Sequence, residues 1–419
     1  MAVLKMVNQE MSVLKTVALI GFVAICSASA LCWADSPAEE DPLPADAADT
    51  ELGGEEESGE SSRKEPEESP EGVFKIPNSK ATIGIGGFAR LDMIHDFDAI
   101  GSEDGFDPST IPTDGTEGEN TRLHAKWTRF NVDFRRPTRR GPARIFVETD
   151  FFDSDKALRL RHAYGSVGPL LAGQTWTTFM DEDAIPPTLD LEEPRVFVFV
   201  RQALVRWSWN KKGDRWRGAV ALEDPGAEIE PPSGVAGSTE NAMPDLTARV
   251  RGSWGSSHLQ LSAFVGQARF RAEAGPTSDA TIWGSSFTGK VMTTSSDALR
   301  FQLAYGDGLA RYHGGLAAAP DVTGQLEAIP AIATMVSYQH YWNERLSSHI
   351  VGSYGKEDNT AGQSAEALHA VGYAALNLVW EFAERISFGG EYLYGSREDN
   401  DGASGRANRL LFVFKYDFF

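Results

Sequence analysis

The residues of this chain best suited to chemistry are arginines that alternate with apolar side chains. Arg129 precedes Phe130 and Val132, Arg159 and Arg161 interleave with Leu158 and Leu160, and Arg217 follows Trp216. Arg249 and Arg251 bracket Val250, and Arg300 precedes Phe301. A β-strand sends successive side chains to opposite faces, so placing each apolar row on one face collects these guanidiniums on the other. Arg206 is assigned to the same face, although its segment, "RQALVRWSW", carries arginine on both parities. The rule places Asp133, Glu148, Asp150 and Glu391 with them. A guanidinium fork engages both oxygens of a carboxylate. The chemistry on offer is therefore recognition of small anions, or mutual neutralisation of wall charges. Inside a narrow pore such a charge ring sets ion preference, because the field is focused where water is scarce.

Positioning these rows requires strands, and the chain is rich in them. From Phe74 onward, period-two alternation recurs in "TIGIGGFARLDMI", "ARIFVETDFF", "LRFQLAYG", "ISFGGEYLYG" and the closing "RLLFVFKYDFF". No segment sustains a helical period over three turns, so the fold class is all-β. The pattern amounts to about 16 segments of roughly 10 residues, the length that crosses a bilayer at a tilt. Alternate connections are tight, as in "VGP", "NKKGD", "GSS", "TSSD", "WNER" and "FAER", whereas those at 96–120, 180–197, 223–244 and 306–328 are long. Short turns at one end and long loops at the other predict a transmembrane antiparallel β-barrel with short periplasmic turns and long extracellular loops. Aromatics near the ends of the apolar rows, Tyr392, Tyr394, Phe301, Tyr305 and Trp380 among them, suit two interfacial girdles. The opposite rows carry Arg, Gln, Asn and Gly and predict a wet lumen.

In barrels of this size the third outer loop, here "MDEDAIPPTLDLEEPR" (180–195), commonly folds inward and narrows the channel. It holds Asp181, Glu182, Asp183, Asp190, Glu192 and Glu193, and Pro186 and Pro187 stiffen its middle. Facing an arginine wall, these acids would create a transverse field.

Three stretches, "IGIGGFARLDMIHDFD" (83–98), "LRLRHAYGSVGPLLAGQTWTTFMD" (158–181) and "GDGLARY" (306–312), resemble motifs of the DcaP-like outer-membrane porins. The resemblance runs over roughly 74–419 and is most specific between 81 and 207. It implies a 16-stranded barrel, usually trimeric, that passes small anionic organic solutes. Two features depart from the family pattern: the arm before the barrel is acidic where members often carry a helical coiled-coil segment, and the aromatic row ends at Phe418, with Phe419 one step beyond. The terminal strand still resembles the signal read by the barrel-assembly machinery.

Residues 1–34 read as a cleaved signal peptide: Lys5 and Lys15 precede the apolar run "TVALIGFVAICSASALCWA", with cleavage after Ala30 or Ala34. A membrane anchor is the competing reading of that run. Cys26 and Cys32 are the only cysteines, so a chain cut after Ala34 has none for a disulfide or a metal. Residues 35–73 form an acidic periplasmic tether, with 15 acids against Arg63 and Lys64 over 35–72 and almost nothing apolar to bury. Much of the net charge of −21 lies there; residues 73–419, which include the barrel domain 74–419, carry 44 acids and 35 bases. That balance excludes nucleic acid as the main partner, since phosphate binding needs a basic footprint. Outer-membrane lipid and lipopolysaccharide are the expected surroundings, with cation bridging open to the first loop through Asp96, Asp98, Glu103, Asp104 and Asp107, whose spacing is not that of a calcium loop.

Enzyme chemistry finds no support, and neither a cofactor nor a metal is expected. His349 and Ser353 share a strand face but lie about 13 Å apart at roughly 3.3 Å per residue, without a partner acid. "GIGG" (84–87) has no following helix to complete a phosphate loop. A structural barrel tethered through its acidic arm is the alternative to a porin. Deleting Asp35–Gly72 while keeping the signal is expected to leave the heat-modifiable band of the folded barrel unchanged on gels. Loss of that band would give the arm a role in assembly.

Overall fold

The computed structural model describes residues 71–152, 157–192, 194–209 and 215–419. The expected signal segment, the tether up to Pro70 and Glu193 lie outside the described residues.

Among the described residues, sixteen strands close into one antiparallel barrel. They are β1 (Thr82–Asp96), β2 (Asn120–His124 continued by Arg129–Thr138), β3 (Gly141–Asp150), β4 (Arg159–Val167), β5 (Leu170–Trp176) and β6 (Arg201–Trp209). β7 (Trp216–Glu223), β8 (Asp245–Trp254), β9 (Ser257–Ala272), β10 (Thr277–Met292) and β11 (Ala298–Asp307) follow. β12 (Pro330–Asn343), β13 (Leu346–Glu357), β14 (Leu368–Ala383), β15 (Ile386–Asp399) and β16 (Ser404–Asp417) complete the wall. Each strand pairs with its chain neighbours, and β1 closes the ring against β16 from Phe88 opposite Asp417 to Asp96 opposite Arg409. Closure leaves no edge, which the hydrocarbon core of a membrane demands.

The tight connections at 139–140, 168–169, 255–256, 344–345 and 384–385 gather at one end. Gly168 (φ 54°) and Gly255 (φ 53°) each provide the left-handed residue that a two-residue hairpin needs. The opposite end carries the loops at 97–119, 177–200, 224–244 and 308–329, together with the short links 273–276 and 400–403.

Alternation sorts the side chains as expected. Leu261, Leu303, Ile350, Leu376, Leu378, Phe412 and Phe414 are exposed on the outer face, while Ser262, Gln302, Asn377 and Arg409 from the same strands are buried inside. Trp209, Trp216, Trp254, Trp342 and Phe382 form the turn-end girdle, and Trp283, Tyr305 and Tyr354 lie towards the loops. The last two residues finish the seam. Phe418 donates its N–H to the Gly87 carbonyl at 3.0 Å and its ring lies 5.2 Å from Phe130. Phe419 packs on Gly72, where an added Cβ would stand 2.9 Å from its ring.

The lumen differs from the wet bore that the polar rows predict. Loop residues Phe106, Ile111, Phe179, Met180, Phe197, Val198, Leu309 and Tyr312 are buried against inward Phe264, Ile282, Ala304, Ala333 and Leu393. The inward alanines leave room, and the loop apolar groups fill it because burial removes their surface from water. Alternation within a strand carries no information about which loop will fold back onto it.

Leu261→Arg places a charge near the middle of the outward row of β9 and is expected to cost about 2–4 kcal/mol, read as a lower urea midpoint in lipid vesicles. An unchanged midpoint would show that this row does not face lipid.

Candidate functional site

The densest charge lies on the inner wall of β2, β3 and β4. Register sets Arg129 opposite Asp150, and Asp150 opposite Arg159. Arg159 grips Asp150 through two contacts, Nε–Oδ1 at 2.9 Å and Nη2–Oδ2 at 2.8 Å. Arg161 bridges Asp150 at 3.0 Å and Glu148 at 2.8 Å, and Arg129 Nε stands 3.6 Å from Glu148. Three guanidiniums thus meet two carboxylates, and one positive charge is left over. Wall pairing and surplus charge coexist in this cluster.

A bulge builds the cluster. The register shifts between Glu148 opposite His162 and Thr149 opposite Leu160, so Arg161 and His162 are both buried, where simple parity sends one of them to lipid. His162 Nδ1 lies 3.0 Å from the Thr175 hydroxyl. Beyond the bulge Arg201 places its guanidinium 4.5 Å from the Trp176 ring centre and forms no ion pair with a described acid. Arg201 and His162 escaped sequence reasoning; the only signal was the arginine on each parity of β6. Arg90, Asp92, Asp96 and Arg409 are also inward and buried without having been singled out as pore residues.

The remaining predicted residues are spread around the barrel. Arg206 is inward, with Val205 and Trp207 outward, which resolves its parity. Arg217, Arg249 and Arg300 alternate with outward Trp216, Val250 and Leu303. Asp133 lies towards the turn end and pairs with Arg135 at 2.8 Å and Arg144 at 2.9 Å. Glu391 departs from the expectation of a pore-lining acid. It points inward but is 1% exposed, because its carboxylate accepts the N–H groups of Leu189 (2.9 Å) and Asp190 (2.8 Å) and the Asn377 amide (2.9 Å).

That clasp belongs to the loop at 177–200, which crosses the lumen. At its start Glu223 accepts from the Thr177 hydroxyl at 2.6 Å and the Thr178 N–H at 2.7 Å. The Phe179 and Met180 carbonyls accept from Ser262 (2.8 Å) and Gln260 (3.0 Å) on β9. Asp181 is held by Arg251 at 2.6 Å, His258 at 2.8 Å and Thr288 at 2.7 Å. Arg251 also contacts Asp183. The loop then reaches the other wall, where the Pro187 carbonyl accepts from Asn377 on β14 at 3.0 Å and the Leu189 carbonyl from Arg90 on β1 at 2.6 Å. On its return Arg195 pairs with Asp107 of the first loop at 2.7 Å, and Gln302 holds the Val196 carbonyl at 2.9 Å. A segment fastened to β8–β10 at one end and to β14, β15 and β1 at the other divides the bore.

The loop acids have separate tasks. Burial would raise Asp181, but His258 and Arg251 outweigh it and hold the carboxyl at about 2. Asp181, Asp183 and His258 lie close enough to suggest a metal, yet Arg251 already occupies both carboxylates. Asp190 accepts the Phe106 N–H at 3.0 Å and is raised by burial. Glu182 is exposed. Among the described loop acids Glu192 faces the arginine wall: burial first, and then Asp190, push it up to about 7, while Arg159 and Arg201 pull it down. It packs over Gly105, where an added Cβ would fall 1.9 Å from the Glu192 Cγ.

Closed barrel, inward loop and charged wall are the parts of a porin, and the profile of the DcaP outer membrane protein family matches residues 71–418. The chain belongs to this family. In structure it is similar to the outer membrane channel DcaP of Acinetobacter baumannii, at 24% sequence identity and a TM-score of 0.72, covering 82% of this chain and 99% of that one. The fold is shared with an anion-selective porin from Comamonas acidovorans, at 9% identity and a TM-score of 0.54, covering 81% of this chain and 100% of that one. It is shared also with the trimer form of OmpT of Vibrio cholerae, at 11% identity and a TM-score of 0.54, with the same 81% and 100% coverage. No curated protein matches the sequence. This DcaP-family chain is an outer-membrane porin with its barrel in the cell outer membrane.

Glu192 has its charge above pH about 7 and loses it below. The zero-current potential in a salt gradient is therefore expected to move towards anions between pH 8 and pH 6, and Glu192→Gln to reduce the movement. An equal shift in the variant would assign the titration to another group.

Proposed function

We propose that this porin passes small organic anions, dicarboxylates among them, through a constriction between the β2–β4 wall and the crossing loop. The observation that supports this is the charge surplus at Arg129, Arg159 and Arg161 over Glu148 and Asp150, extended by Arg201. One carboxylate of a solute exchanges among these guanidiniums while Glu192 opposes them across the gap, so binding stays weak enough for release. The reading is that of a channel with no catalytic residue and no cofactor. Homotrimers, outer-membrane lipid and lipopolysaccharide around the barrel, and delivery by the barrel-assembly machinery through the terminal strand complete it; the trimer form of OmpT supports the first of these. A second reading, a structural barrel, draws on the loop core that fills part of the lumen. Single-channel conductance in a planar bilayer separates the two.

Arg129→Gln combined with Arg159→Gln is expected to shift the zero-current potential towards cations. The effect should shrink near 1 M salt, where the screening length falls to about 3 Å. A folded double variant with unchanged ion preference would count against the arginine wall.

A further inference from the structure

A different set of cations lies outside the bore, at the turn end of the β2–β3 hairpin. Register pairs Phe134 with Ile145 and Arg136 with Ala143. Phe134, Arg136, Ala143 and Ile145 belong to the outward row that contains Phe130 and Val132. Along that row an apolar pair gives way to a cation within two residues, a rise of about 6.8 Å. Arg139 from the turn and Lys80 from the segment before β1 join Arg136 around an open groove of ≈ 650 Å³ whose floor includes Phe134 and Ile145.

Charge pairing distinguishes the two faces of this hairpin. The inward Arg135 and Arg144 both pair with Asp133. Lys80, Arg136, Arg139 and Arg140 form no ion pair with any described acid. Elsewhere this level is occupied by Trp209, Trp216, Trp254, Trp342 and Phe382, the aromatics suited to the border between hydrocarbon and headgroups. At β2–β3 three cations stand there instead, above an apolar floor. Cations at such a border gather anionic headgroups.

We propose that this groove binds a phospholipid of the leaflet at the turn end. Lys80, Arg136 and Arg139 hold its phosphate, and Phe134 and Ile145 receive the first carbons of its acyl chains. The match is one of charge and polarity order: phosphate next to glycerol next to hydrocarbon, as cation gives way to apolar surface along the row. This inference is independent of the selectivity of the bore. The chain also carries an anionic sequence of its own, the acidic segment 35–72.

Native mass spectrometry of the full-length protein in detergent, titrated with phosphatidylglycerol, tests the proposal. The wild type is expected to retain one lipid per subunit, and Lys80→Gln/Arg136→Gln/Arg139→Gln to bind at least about tenfold more weakly, with heat-modifiability showing that the variant is folded. Should the triple variant fail to fold, Arg139→Gln alone is expected to weaken retention in the same direction. Equal retention by wild type and folded variant overturns the proposal. So does displacement of the lipid by equimolar inorganic phosphate, which would make this a bare anion site. Retention that appears only after removal of residues 35–70 would assign the groove to the acidic segment and overturn it as well.

Discussion

The pairing of β1 with β16 is the constraint on which the rest of the molecule depends. A strand in hydrocarbon has no water to satisfy its N–H and C=O groups, so the sheet must return to its first strand. Nine residue pairs from Phe88–Asp417 to Asp96–Arg409 make that return. Phe418 and Val73–Lys75 extend the seam towards the turn end, the first on Gly87 and the second on Thr82–Gly84. Once the ring is closed, each strand has one face for lipid and one for the interior, and alternation acquires a fixed meaning.

The interior then resolves two demands. Buried charge must be paired, and the anion preference proposed for this pore rests on charge that is not fully neutralised. The first is met on the far wall, where Arg251 and His258 hold Asp181 and Asp183 and so fasten the crossing loop. The second is met on β2–β4, where three arginines share two acids. The apolar loop residues are buried against inward residues of the wall. Phe179, Phe264 and Tyr312 form one ring cluster, with centroids 4.4 to 5.0 Å apart, which packs the loops against β9.

Much of this was legible in the alternation of particular residues. Phe412, Phe414 and Tyr416 against Arg409 show the faces of the last strand directly, and Arg129, Arg159, Arg249 and Arg300 are placed inward by their apolar neighbours. Strand count and turn lengths follow, because a period of two and the length needed to cross a bilayer are local properties of the chain. The inward course of the loop at 177–200 and its arginine-facing acid could be expected only in outline. Which acid faces the wall was not legible, because the partners of Asp181, Asp183 and Glu192 are brought to them by the folded barrel.

The sequence by itself determined the all-β class, the lipid-facing rows, the turn and loop ends, and the inward direction of Arg129, Arg159, Arg249 and Arg300, since each rests on spacing within a single strand. Tertiary structure alone decided the bulge that turns Arg161 and His162 to the same side, the recruitment of Glu391 into a backbone clasp, and the apolar filling of part of the lumen. These depend on residues far apart in the chain, Glu391 meeting Leu189 and Asp190 across some 200 positions. A one-dimensional period says where a side chain points. It does not say what will be waiting there.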